Sequence, residues 1–135
     1  MKACLEKVNV SPSSVEEVYF GCVLQAGLGQ APARQAALGA GLPVSTPCTT
    51  VNKVCASGLK AMSLACAELT TGHRDVMLAG GMESLSNTPF TLPRGVTPYG
   101  GIKLLDHCNH DGLTDAYSGW HMGKCAEVSS LNIVH

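Results

Sequence analysis

A cysteine lies where a β-branched segment meets the start of a helical pattern. Cys55 directly follows the segment Thr49–Val54, and small residues come next, in the order "ASG". At the start of a helix, unpaired backbone N–H groups and the positive end of the helix dipole favour a thiolate over a thiol. The same N–H groups can stabilise the oxyanion that forms when a thiolate attacks a carbonyl carbon. The spacing therefore indicates a nucleophile for acyl transfer, and the alternative is a free cysteine that only packs in a core.

The residues around Cys55 predict a strand–helix–strand unit that would hold the thiol at the edge of a parallel sheet. Thr49–Val54 is predicted as the first strand, and the apolar segment Asp75–Gly81 as a second strand that is buried on both faces. The helix between them is predicted to stop at Gly72 and to bury one apolar face. That face consists of Leu59, Met62, Cys66 and Leu69. Parallel strands joined in this way should have a right-handed crossover.

The N-terminal half contains further elements of an α/β fold. A capping-box spacing between Ser13 and Glu16 predicts a short helical turn. Alternating apolar residues over 18–25 predict a strand. A helix is predicted to start at Pro32 and to stop near Gly39. The predicted fold class is therefore α/β, with a partly parallel sheet and crossover helices.

The composition changes after Glu83. Residues 84–101 contain three prolines and three glycines, which predicts an irregular excursion rather than a core element. Helical turns are expected in residues 102–127, without firm bounds. The chain is therefore divided into residues 1–83 and residues 84–135.

The overall composition excludes several classes of protein. Apolar residues make up 45% and charged residues 14% of the chain, which excludes a disordered protein. Nine basic residues against ten acidic ones, without a basic stripe, argue against nucleic-acid binding. The apolar runs are too short for a membrane span. The seven cysteines contain no C-x-x-C pair, which predicts neither a disulfide framework nor a zinc ribbon.

Two short patterns resemble ligand sites but do not meet their requirements. The segment Asp106–Asp111 contains His107 and His110, whose spacing is found among metal ligands, but no fourth ligand follows from the spacing. No metal is therefore expected there. The Gly-Leu-Gly sequence at 27–29 resembles a dinucleotide-binding loop, but a proline stands where the third glycine is required.

Three segments, in their order and spacing, resemble the N-terminal part of thiolases. They are "NKVCASGLKAM", "DVMLAGGMESLSNTPF" and "DGLTDAYSGWHMG". The resemblance covers residues 3–127, and "STPCTTVNKVCASG" together with "GVTPYGGIKLLD" is similar to the mitochondrial thiolases that form or cleave acetoacetyl-CoA. It implies an incomplete thiolase-like N-terminal domain in residues 1–83, followed by the start of the thiolase loop domain in residues 84–135.

The resemblance implies a chemistry and the residues that carry it. In thiolases the cysteine that matches Cys55 attacks a thioester and carries the acyl group between two coenzyme A molecules, so that two acetyl-CoA reversibly give acetoacetyl-CoA and CoA. Leu113, His121 and Met122 would lie near the bound substrate, and a structural histidine that caps a turn is the alternative for His121. Coenzyme A is expected as a substrate, with no tightly bound cofactor. The segment 87–103 resembles the one through which many thiolases form tetramers, which predicts a homo-oligomer.

Three motifs that complete the thiolase mechanism do not occur in this sequence. They are the Gly-His-Pro histidine that activates the nucleophile, the Cys-x-Gly cysteine that moves the α-proton and an Asn-Glu-Ala-Phe segment. The chain therefore resembles a truncated thiolase, and no turnover is expected from it alone. The alternative function is that of a non-catalytic truncated form that binds full-length thiolase subunits. The resemblance favours a mitochondrial location, with the cytoplasm as the alternative.

Overall fold

The computed structural model describes residues 1–133, and the chain forms two compact units. Unit 1 is Met1–Glu83, and unit 2 contains the described residues from Ser84 onward. The helices and strands of unit 1 are α1 (Lys2–Lys7), β1 (Glu17–Gly21), α2 (Pro32–Gly39), β2 (Cys48–Val51), α3 (Ser57–Thr70) and β3 (Met77–Gly81). Those of unit 2 are β4 (Phe90–Thr91), β5 (Leu105–Asp106) and α4 (Met122–Ile133). Short 3₁₀ helices span Pro12–Ser14 and Leu85–Asn87, and a π-helix spans Cys108–Leu113.

The strands of unit 1 form a parallel sheet in the order β2–β1–β3. At its carboxyl edge, Gly21 of β1 lies opposite Val51 of β2 and Gly81 of β3. The loops that leave these three residues therefore start from the same edge of the sheet. β1 is shorter than the sequence predicts, although Cys22 and Leu24 beyond its end are still buried. The predicted α/β fold with a parallel sheet is confirmed.

An aliphatic core joins α1 and α2 to this sheet. Val18 in β1 is fully buried, and Leu5 of α1 and Leu42 after α2 are nearly so. The cluster consists of Leu5, Val15, Val18, Ala37, Ala40, Leu42 and Leu78. Each fully buried valine or leucine contributes about 1.5–3 kcal/mol relative to an exposed one. Unit 1 thus has a core of small and medium side chains, as expected for a sequence with 4% aromatic residues.

Glu16 has a different role from the one that the sequence predicts. The 3₁₀ helix Pro12–Ser14 is present, but its N-cap is Ser11, so the predicted capping box is wrong. The Glu16 carboxylate instead accepts hydrogen bonds from the N–H groups of Asp75 at 2.6 Å and Val76 at 3.2 Å. Glu16 thereby ties the start of β1 to the segment that enters β3.

α3 buries a different face from the predicted one. Ala61 and Ala65 are buried, whereas the predicted face is exposed. The exposed residues are Leu59, Met62, Cys66 and Leu69. Small side chains let α3 approach the sheet closely, and within residues 1–133 no layer covers the larger apolar ones. The prediction that this face, which includes Cys66, is buried is therefore wrong. β3 buries only Leu78, so it is not a strand buried on both faces.

Unit 2 has little buried surface. Its strands β4 and β5 form an antiparallel pair in which Phe90 lies opposite Asp106. Among residues 84–131, His107 is the buried residue. Most of the described part of unit 2 therefore depends on local hydrogen bonds rather than on a core.

Candidate active site

Three glycines let the first turn of α3 lie directly against the carboxyl edge of the sheet. A Cβ atom on Gly21 would lie only 2.6 Å from the backbone nitrogen of Gly58. A Cβ atom on Gly81 would lie 3.3 Å from the Gly58 Cα. A side chain at Gly21 would therefore push the start of α3 away from the sheet. These contacts set the position of the loop that leads into α3.

Cys55 lies in this loop, between the end of β2 at Val51 and the N-cap residue of α3, Ala56. The order of strand, cysteine and helix that the sequence predicts is present. The thiol is exposed, so a substrate can reach it from solvent. Because α3 has 14 residues, its N-terminal end carries the partial positive charge of a full helix dipole.

Val54, the residue before Cys55, has an unusual backbone conformation. Its φ is +48°, and the left-handed region is strained for a β-branched residue. Two side chains hold the loop in this conformation. Ser57 Oγ accepts a hydrogen bond from the Lys53 N–H at 2.8 Å and donates one to the Val54 carbonyl oxygen at 2.5 Å. Asn52 Oδ1 accepts a hydrogen bond from the Val54 N–H at 3.0 Å.

The backbone donors of the loop are almost all in use. The Lys53 N–H donates to Ser57 Oγ, and the Val54 N–H donates to Asn52 Oδ1. The Ala56 N–H donates to the Lys53 carbonyl oxygen, and the Ser57 N–H donates to the Val54 carbonyl oxygen. Among the described residues, none accepts a hydrogen bond from the Cys55 N–H. A free N–H beside an exposed sulfur can donate to the oxygen of a carbonyl group that the sulfur attacks. Cys55 thus combines an exposed sulfur with an N–H that has no acceptor among the described residues.

Glu83 braces the same edge of the sheet. Its carboxylate accepts hydrogen bonds from the N–H groups of Val23 at 2.8 Å and Leu24 at 3.1 Å. The Cys22 thiol lies 4.0 Å from the same carboxylate. Burial raises the pKa of the Cys22 thiol, and the negative charge of Glu83 raises it further. Cys22 therefore remains a thiol near neutral pH.

In unit 2, the structure brings together the residues that the thiolase resemblance assigns to substrate binding. Thr114 and His121 form an isolated antiparallel bridge, which places Leu113 and Met122 at the same end of the intervening loop. His121 Nδ1 accepts a hydrogen bond from the Gly123 N–H at 3.1 Å, so this histidine caps the start of α4. The structural role that the sequence leaves open for His121 is thus present, and in the neutral ring Nε2 carries the proton.

Asp111 joins the two histidines of the segment that resembles a metal site. Its carboxylate lies 2.7 Å from His110 Nδ1 and 2.5 Å from His107 Nδ1. The hydrogen bond with His110, followed by that with His107, lowers the pKa of Asp111. Over residues 1–133, no three His, Cys, Asp or Glu side chains are grouped so as to hold a metal ion. In the same part of the chain, no helix combines the length and the apolar character that crossing a membrane requires.

The family model for the thiolase N-terminal domain matches residues 1–132 of this chain. The chain belongs to the thiolase family. This thiolase chain is 61% identical over 135 residues to the mitochondrial acetyl-CoA acetyltransferase of Mus musculus and 58% identical over 135 residues to that of Homo sapiens. Each of these comparisons covers 98% of the chain and 32% of the relative. The chain therefore spans about a third of the length of these relatives.

A solved thiolase structure has the same fold over almost all of this thiolase chain. It is the Acat5 thiolase from Ascaris suum in complex with coenzyme A, with a TM-score of 0.94 and 40% sequence identity. The match covers 98% of this chain and 35% of the Ascaris chain. The structure therefore corresponds to part of a thiolase fold.

The residues that hold Cys55 in this thiolase are not evident from the sequence. In the sequence, Ser57 is one of several small residues after the cysteine, and Asn52 lies within the predicted strand Thr49–Val54. Both instead bind the backbone of the loop. The available signal is the residue type, because serine and asparagine side chains favour local hydrogen bonds to backbone groups in turns. The close contact at Gly21 has a similar signal, a glycine at the end of an apolar strand.

Proposed function

We propose that this chain carries acyl groups on Cys55, as the nucleophile-bearing part of an acetyl-CoA acetyltransferase. The main support is an exposed thiol beside an unpaired N–H at the start of α3, in a chain of the thiolase family. The proposed substrates are acetyl-CoA and acetoacetyl-CoA, with no tightly bound cofactor. Support for them comes from the names of the mouse and human relatives and from the coenzyme A complex of the Ascaris thiolase.

The proposed degradative step transfers an acetyl group from acetoacetyl-CoA to Cys55. The thiolate attacks the 3-keto carbon, a C–S bond forms, and the carbonyl oxygen becomes an oxyanion to which the Cys55 N–H can donate. The C2–C3 bond then breaks, its electron pair passes to C2, and C2 takes up a proton and leaves as acetyl-CoA. A coenzyme A thiolate next removes the acetyl group from Cys55 as a second acetyl-CoA. The reverse sequence condenses two acetyl-CoA molecules.

Unit 1 has no histidine that could activate Cys55 from a neighbouring position. His73 is the only histidine in residues 1–83, and it follows the C-terminal end of α3, a helix of about 20 Å. A helix dipole contributes up to about 2 kcal/mol, whereas a positioned base accelerates a reaction by about 10²–10⁴-fold. We therefore expect slow acetylation of Cys55 and no turnover by this chain alone.

Leu113, His121 and Met122 are proposed to contact the bound substrate. Met122 is half-exposed and Leu113 is partly buried at the same end of one loop, which supports an apolar contact there. His121 would act through Nε2, because Nδ1 is engaged by the Gly123 N–H. Through that bond His121 also fixes the start of α4.

Intact mass after incubation of the purified chain with acetoacetyl-CoA tests the proposed function. We expect one acetyl adduct, which peptide mapping locates on Cys55. Cys55→Ala should abolish the adduct, and the matched variant Cys66→Ala should retain it, because Cys66 is another exposed cysteine. Absence of the adduct in the unmodified chain, while a complete thiolase is labelled in parallel, contradicts the proposal.

A non-catalytic role in binding thiolase subunits is the second candidate. Leu59 and Met62 on α3 are exposed, and so is Val96 in the excursion 87–103. Exposed apolar side chains of this kind support an interaction surface. The same excursion supports the proposed homo-oligomer.

Size-exclusion chromatography distinguishes these assemblies. Elution of the chain alone at a multiple of its mass supports the homo-oligomer, and co-elution with a full-length mitochondrial acetyl-CoA acetyltransferase supports the second candidate. Elution as a monomer in both runs contradicts both. The names of the relatives support a mitochondrial location, with the cytoplasm as the alternative. Import of the tagged full-length chain into isolated mitochondria tests the location.

A further inference from the structure

We propose that Ser57, assisted by Asn52, is a positioning residue for Cys55. The two side chains hold Val54 in the left-handed region and so fix the direction of the thiol and of its unpaired N–H. This inference rests on the proposed role of Cys55 as the acyl carrier. It assigns to both side chains an effect on the backbone, not a contact with the substrate.

The Ser57 hydroxyl has an unusual position for the start of a helix. Serine commonly occupies the N-cap, where its oxygen accepts a hydrogen bond from a free helical N–H. Here the N-cap is Ala56, without a side-chain cap, and Ser57 is the first helical residue. Its side chain turns back and binds the Lys53 N–H and the Val54 carbonyl oxygen, and the residue is only 4% exposed. One buried hydroxyl therefore closes the loop from Lys53 to Ser57.

Val54 provides the reason that this loop needs to be held. In the left-handed conformation the Cβ atom of a β-branched residue crowds the following carbonyl, so a valine leaves that region unless other bonds oppose the change. The Ser57 and Asn52 hydrogen bonds act on both sides of Val54, one on its carbonyl and the other on its N–H. Loss of these bonds would rotate the peptide group between Val54 and Cys55. The Cys55 N–H and thiol would then lose their alignment with α3.

Alkylation of individual cysteines by iodoacetamide in the full chain, followed by peptide mapping, tests the proposal. The alkylation rate of Cys55 measures the state of the loop, and that of exposed Cys66 serves as the reference for reactivity with the reagent. Alkylation of buried Cys22 would reveal unfolding. Ser57→Ala is expected to lower the alkylation rate of Cys55 relative to Cys66 by about fivefold, because the sulfur is then no longer held beside the partial positive charge at the start of α3. Cys22 should remain protected.

A rescue variant and a matched control separate positioning from general stability. Asparagine tolerates the left-handed conformation, so the double variant Val54→Asn with Ser57→Ala is expected to recover at least half of the lost rate. Thr46→Val is the control. Thr46 is also 4% exposed, and its hydroxyl donates to the Val15 carbonyl oxygen at 3.2 Å. Thr46 precedes β2 in the sequence, whereas the loop of Cys55 follows β2. This variant should leave the ratio of Cys55 to Cys66 alkylation unchanged.

An unchanged ratio in Ser57→Ala, with Cys22 protected, overturns the proposal. A double variant that is no faster than Ser57→Ala overturns the role assigned to Val54. If Ser57→Ala exposes Cys22, the variant Asn52→Ala replaces it in the test, because Asn52 is an exposed residue. A ratio of Cys55 to Cys66 alkylation that is about twofold lower in Asn52→Ala supports the proposal, and an unchanged ratio overturns it.

The acetoacetyl-CoA experiment distinguishes the positioning role from the proposed function. An unmodified chain that is never acetylated, together with a lower alkylation ratio in Ser57→Ala, refutes the acyl-carrier role and retains the positioning of Cys55. An acetylated chain whose alkylation ratio is unchanged in Ser57→Ala retains the acyl-carrier role and refutes the positioning of Cys55 by Ser57.

Discussion

Units 1 and 2 are stabilised in different ways. In unit 1 an aliphatic core around Val18 and Leu78 supports the sheet that carries Cys55. In unit 2, His107 is the buried residue among those described, and polar contacts such as that between His107 and Asp111 organise the chain. A nucleophile requires a fixed direction, which a sheet edge with a packed core provides. The proposed substrate contacts of unit 2 lie on a locally folded loop, so we expect unit 2 to depend more on its environment than unit 1.

The largest effect is expected from Gly21→Ala in unit 1. The new Cβ would meet the Gly58 backbone at 2.6 Å, and backbone atoms cannot move aside as a flexible side chain can. We expect a loss of about 3 kcal/mol in the free energy of unfolding, measured by urea denaturation. Gly39→Ala is the control, because a Cβ at Gly39 has no atom within 4 Å. It should leave stability unchanged or raise it by about 0.5–1 kcal/mol. Equal effects of the two variants would contradict the close contact between α3 and β1.

A smaller difference is expected between leucines of the two units. Leu78 is 8% exposed and Leu104 is 54% exposed. Leu78→Ala leaves a cavity and should cost about 2–4 kcal/mol, whereas Leu104→Ala should change stability by less than about 0.5 kcal/mol. Urea denaturation followed by circular dichroism measures both. A comparable loss in Leu104→Ala would show that unit 2 has a core after all, and the contrast between the units would fail.

The smallest effects concern two carboxylates, one in each unit. Hydrogen bonds from the Asp75 and then the Val76 N–H lower the pKa of Glu16 from 4.5. Hydrogen bonds with His110 and, to a smaller extent, with His107 lower the pKa of Asp111 from its usual 3.8. A carboxylate with a lowered folded-state pKa stabilises the fold above its unfolded pKa, and this contribution is lost as the pH falls through the lower folded value.

Acid titration of variants measures these contributions. Between about pH 5 and pH 3, Glu16→Gln should lose less stability than the unmodified chain. Asp111→Asn should reduce the acid sensitivity of the π-helix, which is measured by hydrogen exchange of residues 108–113. A steeper acid loss in Glu16→Gln would contradict the assigned sign.

The order of elements around Cys55 can be predicted from the sequence, but the buried face of α3 cannot. A β-branched segment followed by a helical pattern is a local signal, and β2 and α3 occur there. The choice between Ala61 and Leu59 as the buried residue depends on tertiary contacts. Close approach at Gly21 leaves room only for small side chains beneath the helix. Periodicity shows that an apolar face exists and does not show what covers it.

For the candidate site, the position of the thiol is predictable and its support is not. The left-handed conformation of Val54 follows from the hydrogen bonds of Ser57 and Asn52, which obey no helix or strand period. In unit 2 the proposed substrate role of Leu113 and Met122 comes from the family resemblance alone, because no general sequence rule predicts the π-helix that precedes their loop.

The strand order also determines when this site can form during synthesis. β1 is the central strand of this sheet although it precedes both of its neighbours in the sequence, so in a nascent chain it can pair with β2 before β3 has left the ribosome. Gly81, which lies against the first turn of α3, arrives with β3, and Glu83 then binds the loop after β1. The turn that carries Cys55 is therefore completed only after residue 83 has left the ribosome, and a shorter nascent chain exposes a cysteine without a site.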